Sequence, residues 1–402
     1  MSSKIITRTV LLVSLVSLFT DIASEMLYPV MPVYLSSIGF SALLIGILEG
    51  IAEATAGLSK GYFGNLSDHK GMRMPFVRWG YSLSAISKPL LAVFVFPVWI
   101  FFARTLDRLG KGIRTSARDA LLSDEATKET KAKVFGFHRS LDTVGAAIGP
   151  IAALIFLYFY PGKYQWLFII AFLPGMIAIL ITFLVKEKKK ENIEVKKSVG
   201  FLTYMKYWKR ASPLYKKLVA GLLMFTFFNS SDAFLLLNLK QNGMSDTQMI
   251  GFYIFYNLVY ALLSYPLGVL ADKLGMKKVI ILGLSVFAVV YFFMAFANTF
   301  LIFGILFLFY AVYAASTESI AKAWISNISG KNETATAIGF FNSFSSIFTL
   351  LASCFAGLIW FEFGPAATFI ISGVGVGSVV VYFLFFVKGK NITAENSGIC
   401  VK

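Results

Sequence analysis

Charge is scarce in this chain, and so are the residue types that most often carry catalysis. Of 402 residues, 14% are charged, two are histidine and two are cysteine. Cys354 inside an apolar stretch and Cys400 near the C-terminus offer no disulfide framework. His69 and His138 stand far apart and form no zinc-ligand cluster, so no metal centre and no cofactor are expected. No Gly-x-x-x-x-Gly-Lys-Ser/Thr run is present, which argues against drive by ATP. With so little site chemistry, an enzyme is not expected. Lys4 and Arg8 before an apolar run imitate a signal peptide. No small-residue cleavage site follows and acids interrupt the run, so a retained first span is expected.

What remains is overwhelmingly apolar. Hydrophobic residues make up 57% of the chain, and the mean hydropathy is +0.73. Many separate apolar stretches of about 20 residues describe a polytopic helical membrane protein, because helices satisfy their own backbone polar groups inside a bilayer. Twelve spans are expected, at residues 9–36, 41–66, 74–96, 97–122, 134–160, 164–185, 218–239, 246–270, 278–297, 299–326, 334–360 and 365–387. The expected organisation is a first six-helix bundle over 1–185, a basic connector over 186–217, a second six-helix bundle over 218–390 and a tail over 391–402. Within the connector, residues 201–208 read as an amphipathic helix on the inner leaflet. A net charge of +16 would fit a nucleic-acid partner if it were spread evenly. Instead the basic residues gather in loops on one side, with few such as Lys163 and Lys240 on the other. That is the positive-inside pattern, so the charge is topological and no nucleic acid is implied. It places the chain in the cell (inner or plasma) membrane with both termini cytoplasmic, and a monomer is expected.

A repeat organises these spans. Gly64-Asn65-Leu66-Ser67-Asp68-His69-Lys70-Gly71-Met72-Arg73 and Gly268-Val269-Leu270-Ala271-Asp272-Lys273-Leu274-Gly275-Met276-Lys277 share the form Gly-x-x-x-Asp-x-x-Gly-Met-basic. They stand 204 positions apart, about half the chain, and each lies between two apolar runs. A second echo, Phe135-Gly136-Phe137-His138-Arg139-Ser140 against Ile338-Gly339-Phe340-Phe341-Asn342-Ser343, has an offset of 203. The chain therefore reads as two parallel copies of one design around a central cavity. The paired loop resembles the signature loop of the major facilitator superfamily, with His69 where the family usually carries Arg or Lys. That resemblance implies two pseudo-symmetric six-helix bundles. It also implies a gating role for Gly64, Asp68, Gly71, Arg73, Gly268, Asp272, Gly275 and Lys277, with each Asp paired to the basic residue that closes its own loop.

Several charges fall where charge is expensive. At ~1.5 Å per residue, Asp21 and Glu25 lie roughly 18–24 Å into span 1, and Glu49 and Glu53 about 12–18 Å into span 2. Each pair is spaced i, i+4 and shares a helix face. A charge at the bilayer centre costs about 3 kcal/mol or more, so the four acids imply a wet or paired interior. The plainer reading is that some of them brace the bundle through Lys88, Arg104 or Arg108. Span 4 carries Arg104, Asp107, Arg108 and Lys111 as one stripe, continued by Arg114 and Arg118. Its lower residues, from Lys111 to Arg118, read as a solvated cytoplasmic end.

The stretch 104–110 resembles the superfamily exporters' Arg-x-x-Gln-Gly-x-Gly motif, with Asp107 and Arg108 as departures. That resemblance implies that Arg104 eases proton transfer at a carboxylate of spans 1 or 2. Gly145, Gly149 and Pro150 resemble the antiporter motif of the twelve-helix drug:proton branch, and Pro29 with Pro32 its Pro-x-x-Pro signature. By this reading the small residues of span 5 pack against the opposite bundle. Arg139 and Asp142 read as an internal ion pair, and His138 as a packed histidine. In the second half, Asn229 and Asp232 are cavity candidates beside Asn238, Tyr256, Asn257, Tyr260 and Asn342. Glu318 stands 204 positions after Arg114 and is expected to meet it as an inner-gate contact. The function so implied is secondary active transport: proton-coupled antiport (efflux) of a small-molecule substrate by alternating access. The alternative is a symporter or facilitator for an anionic or metal-linked solute, and a non-transporting receptor or enzyme fits less well.

Overall fold

The computed structural model describes residues 6–187 and 200–387, apart from residues 29, 41, 230, 231 and 331. The whole of the expected tail and residues 188–199 of the connector lie outside the described residues. The described chain is helical throughout. Its first half runs α1 (Arg8–Glu25), α2 (Met31–Ser37), α3 (Ala42–Lys70), α4 (Met74–Val93), α5 (Pro97–Asp124), α6 (Lys131–Phe159) and α7 (Tyr164–Leu184). The single turn α8 (Tyr207–Arg210) follows. The second half runs α9 (Pro213–Phe228), α10 (Asp232–Gln241), α11 (Asp246–Leu274), α12 (Met276–Met294), α13 (Phe300–Ile328) and α14 (Thr334–Phe386). The backbone of α14 breaks at Gly364, so it is two spans end to end.

Local sequence explains where these helices start. The Thr7 hydroxyl accepts the Val10 N–H at the head of α1, and Ser212 does the same for Tyr215 ahead of α9. Ser245 and Gln248 close a capping box at the start of α11. Pro97 opens α5, where a missing N–H costs nothing. The first turn of α4 has no local cap; the Glu187 carboxylate supplies one from beyond α7, accepting the Arg73 N–H at 2.6 Å and the Met74 N–H at 2.9 Å. Both signature loops turn at the same repeat position: Gly71 has φ 64° and Gly275 φ 95°. L-residues with a Cβ rarely hold that backbone.

Helix pairing repeats between the halves. In the first half α1 packs on α6 and α7, α5 on α3 and α4, and α4 on α7. In the second half α9 packs on α14, α13 on α11 and α12, and α12 on α14. The halves meet through α3 against α14 and α6 against α11. Six of the described helices are long and apolar enough to cross a membrane by composition alone. The polar helix α5 is not among them, because most of its lower half is charged or hydroxylated.

One departure from the expected spans matters for function. The helix of the first span ends at Glu25 with a new one from Met31, and the helix of the seventh ends at Phe228, after which Asn229 has extended backbone. These are repeat-equivalent places. Interrupted helices in matching positions of two halves mark the midplane binding site in transporters, since freed backbone groups need a wet cavity beside them. A second departure concerns residues 201–208. One side packs on the bundles, with Tyr204 and Tyr207 buried and the Trp208 ring stacked on Phe340 with centroids 5.6 Å apart, while Phe201, Leu202 and Met205 stay exposed.

Candidate functional site

At the signature-loop face the two halves are sealed by four repeat-related glycines. A Cβ on Gly64 would lie 2.5 Å from the Ala335 carbonyl oxygen, and one on Gly268 2.5 Å from that of Ala132. Gly339 meets the Lys60 carbonyl in the same way, and Gly136 that of Ser264. No side chain fits in these gaps, so the backbones touch. Hydrogen bonds cross at the same level: the Ser343 hydroxyl donates to the Gly57 carbonyl at 2.6 Å, and its repeat mate Ser140 donates to the Ala261 carbonyl.

The signature carboxylates complete the seal. Asp68 Oδ2 accepts the Thr336 N–H at 2.6 Å and its hydroxyl at 2.7 Å, at the head of α14. Asp272 accepts the N–H groups of Ala132 at 3.0 Å and Lys133 at 2.8 Å, at the head of α6. Each carboxylate thus caps the positive end of a helix in the opposite half. The expected pairing within the first loop is present, with Arg73 Nη2 2.5 Å from Asp68. In the second loop it is not: Lys277 Nζ donates to the Leu384 carbonyl at 3.1 Å instead.

Above the seal lies a cavity of about 300 Å³, lined by residues of both halves. From the first half come Asp21 and Glu25 of α1, Lys60 of α3, Lys111, Arg114 and Arg118 of α5, and Arg139 and Asp142 of α6. From the second come Asp232, Tyr253, Tyr256, Asn257, Tyr260, Glu318, Lys322 and Asn342. Its floor is a charged lattice joining the halves. Arg139 reaches Asp142 at 2.8 Å on its own helix and Glu318 at 2.5 Å on α13. Tyr260 donates to Glu318 at 2.9 Å. Lys322 of α13 holds Asp119 of α5 at 2.9 Å, and Arg118 holds the same carboxylate, also at 2.9 Å. The acid of α13 expected to meet Arg114 thus pairs with Arg139 across the halves. Arg114 does not meet Glu318, because its guanidinium is turned over the Tyr81 ring, 4.5 Å from the centroid.

The profile of the Major Facilitator Superfamily matches residues 13–255 and 233–398. The chain belongs to this superfamily of membrane transporters. An uncharacterized MFS-type transporter of Methanocaldococcus jannaschii is 31% identical over 92% of both chains. The multidrug resistance protein MdtG of Citrobacter koseri is 25% identical over 88% of each. Among solved structures, the human organic anion transporter MFSD10 superposes with a TM-score of 0.80 at 16% identity, covering 94% of this chain and 99% of that one. The E. coli fucose:proton symporter FucP gives a TM-score of 0.72 at 12% identity, covering 95% and 99%. These likenesses carry the all-helical superfamily fold over nearly the whole chain. The protein is a secondary transporter of this superfamily, not an enzyme.

Within this transporter the candidate residues separate into groups. Asp21, Glu25, Asp142, Asp232, Arg114 and Glu318 line the cavity. Lys88, Arg104 and Asp107 do not; they form a buried brace between α4 and α5. Lys88 Nζ lies 3.1 Å from Asp107 Oδ1 and 2.8 Å from the Ser84 carbonyl, Ser84 donates to the same carboxylate, and Arg104 Nη1 lies 3.6 Å from Oδ2. Among the described residues Arg104 pairs with Asp107 on its own helix, and its charge also reaches Glu53 of α3. Arg108 Nε stands 3.9 Å from Glu53. Glu49 belongs to a stretch of α3 whose side chains lie outside the described residues, as does Pro29. Asn229 ends α9 and donates to the Tyr313 hydroxyl at 3.1 Å. Gly145 and Gly149 do not face the opposite half; they let α6 touch α1 at Leu18, Ile22 and Met26. His138 is packed, 3.3 Å from the Ser14 hydroxyl.

Sequence reasoning passed over Lys60 and read Lys111 to Arg118 as a solvated end, keeping Arg114 only as a gate residue. A usable signal existed: 111, 114, 115 and 118 share one side of α5, and a polar stripe on one side of a helix faces one environment.

Proposed function

We propose that this transporter is a proton-coupled antiporter that exports a small polar organic molecule. The observation that carries the reading is the carboxyl cluster in the cavity. Asp21 and Asp142, on the closely packed α1 and α6, lie within hydrogen-bonding reach of each other, with Glu25 one turn further along α1. Two carboxyls that close hold one proton between them more easily than two negative charges. Asp142 is also gripped by Arg139, which spans to Glu318 in the other half. A change in the proton shared by Asp21 and Asp142 therefore acts on a bond that joins the halves. That is the differential contact a ligand or proton needs in order to shift a two-state equilibrium. The close approach of Gly145 and Gly149 to α1 keeps the two carboxyl-bearing helices in register. The antiporter-like motif of α6 and the resemblance to multidrug resistance proteins support export. The basic loops support cytoplasmic termini, so the sealed face is the cytoplasmic one and the cavity opens outward.

Proteoliposomes loaded with a pH indicator test this. Inward proton flow should accompany outward substrate movement, and Asp142→Asn should abolish the coupled flow while the protein stays folded. Proton movement in the same direction as substrate would mean symport. That second reading has one observation in its favour: Lys60 and Lys111 offer the cavity two ammonium groups suited to an anionic solute. Asn variants of Asp21 and Asp142 that both move protons normally would remove the cluster from the mechanism.

A further inference from the structure

The cavity's charges can be sorted by partner, and the sorting leaves two kinds of group over. Arg139 is taken by Asp142 and Glu318, and Arg118 and Lys322 by Asp119. Arg114 is turned onto Tyr81, and Arg108 stands by Glu53. Lys60 Nζ has a long hydrogen bond to the Ser346 hydroxyl, 3.4 Å, and no carboxylate within salt-bridge distance among the described residues. Lys111 opens onto the cavity with no ion-pair partner there either. The two ammoniums lie within each other's field, so their charges add. Asn342, nearly buried on α14, lines the same cavity, and its Nδ2 finds no acceptor. A buried amide donor without a partner is a cost that a ligand can lift. Two ammoniums without a carboxylate and one amide without an acceptor therefore come together from three helices.

The acids leave a matching remainder. Glu25 Oε2 is buried and has no hydrogen-bond partner among the described residues. It shares the cavity wall with Tyr253 of α11, which stands in the field of both Glu25 and Asp232. A carboxylate in a cavity that also offers an aromatic ring is a good seat for an organic cation.

We propose that the substrate is a zwitterion. Its anionic group, a carboxylate or phosphate, sits on Lys60, Lys111 and Asn342, and its ammonium group sits on Glu25 against Tyr253. The cavity's ~300 Å³ is at the small end of ligand sites, which suits a molecule the size of an amino acid or dipeptide. This rests on the exchange reading above and gives it a chemical reason. An ammonium on Glu25, one turn from Asp21, adds positive charge beside the Asp21–Asp142 pair and disfavours the proton that pair shares, which is the competition that exchange requires.

The test is equilibrium binding to the purified full chain in detergent, followed by thermal shift and calorimetry with no pH gradient. The probes are the amino acids, a dipeptide set, glycine betaine and phosphoethanolamine, with glucose as a neutral control. For each amino acid or dipeptide that binds, its N-acetyl derivative (anion only) and its methyl ester (cation only) are compared. Phosphoethanolamine against the carboxylate probes shows which anion the site prefers. Lys60→Met and Lys111→Met should each weaken the zwitterion and the N-acetyl form by about tenfold or more, and leave the ester alone. Lys60→Arg should restore part of the loss, which separates lost charge from lost packing. Glu25→Gln should weaken the zwitterion and the ester, and leave the N-acetyl form alone. The proposal is overturned if no zwitterion in the panel binds, if glucose binds as well, or if the two sets of variants do not separate the two derivatives. Binding of a zwitterion without coupled proton flow in liposomes would sink the exchange reading and leave this one standing. Coupled flow without zwitterion binding would do the reverse.

Discussion

Replacing Asp272 by Asn isolates one element of the seal. Asp272 accepts two N–H groups from the head of α6 and makes no ion pair among the described residues. Asn keeps the shape, but it removes the charge facing a helix N-terminus and turns one acceptor into a donor aimed at an N–H. A charge at a helix terminus contributes about 0.3–1 kcal/mol, and up to ~2 in a partly buried setting. The contact joins α11 to α6 across the halves, so it exists only while this face is shut. Asp272 is half-buried, so about 1–2 kcal/mol applies; it falls on the sealed state alone and shifts the balance toward opening by roughly 5–30-fold, at about 1.4 kcal/mol per factor of ten. Maleimide labelling reads this out: change Cys354 and Cys400 to Ser, then place the reporter as Ser264→Cys, a fully buried position on α11 under the glycine seal. In inside-out vesicles its labelling rate should rise by that factor in Asp272→Asn. A rate within twofold of the parent, in both Asp272→Asn and Asp272→Ala, would refute the capping argument. Asp68→Asn should open the same face and also lower the melting temperature. It strands Arg73, which is 1% exposed and keeps only a 3.7 Å approach to Asp124 as a second ion-pair partner.

Three further outcomes are expected. Gly268→Val should increase the same labelling strongly, since its Cβ meets a backbone carbonyl that cannot turn aside; ordinary labelling with full transport would show that the halves do not touch there. Lys88→Met should cost up to about 3–5 kcal/mol by leaving buried Asp107 with only the longer Arg104 contact, whereas Lys88→Met with Asp107→Leu should recover part of it; equal melting temperatures for single and double variants would mean that the brace is not one unit. Tyr204→Ala should loosen the α3–α14 side of the seal and leave the α6–α11 side intact, because Tyr204 packs against Gly61 on one side only; labelling reporters on both sides that respond alike would contradict this.

The fold was legible because two independent signals agreed. Hydropathy marks the spans, and the repeat offset of 203–204 residues pairs them. The glycines at 64, 136, 268 and 339, visible as echoes in the sequence, are the backbone contacts of the seal. Asp68 and Asp272 were legible as gate residues, but their partners were not. A helix N-terminus is an electrostatic partner with no residue signature, so a search among side chains chose Lys277. The same blindness hid the cap that Glu187 places on α4.

The site was legible by half, and the missing half has one physical cause. Depth was counted from the ends of the apolar stretches, and α5 has no apolar stretch below Arg104 to count against. Lys111 and Arg118 therefore looked like loop residues, though they sit on the cavity side of a helix buried along its other faces. Asp107, read as deep and therefore functional, is deep because Lys88 and Arg104 hold it inside the α4–α5 interface. Burial of a charge thus has two opposite meanings in this chain. Where the counter-charge is on the neighbouring helix of the same half, as at Lys88–Asp107, the pair does not change when the halves move. Where it is across the halves, as at Arg139–Glu318 and Lys322–Asp119, the pair must break for the cavity to open toward the sealed face. Those cross-half pairs, and the unpaired Lys60, Lys111 and Glu25 above them, are where a substrate or a proton can exert leverage.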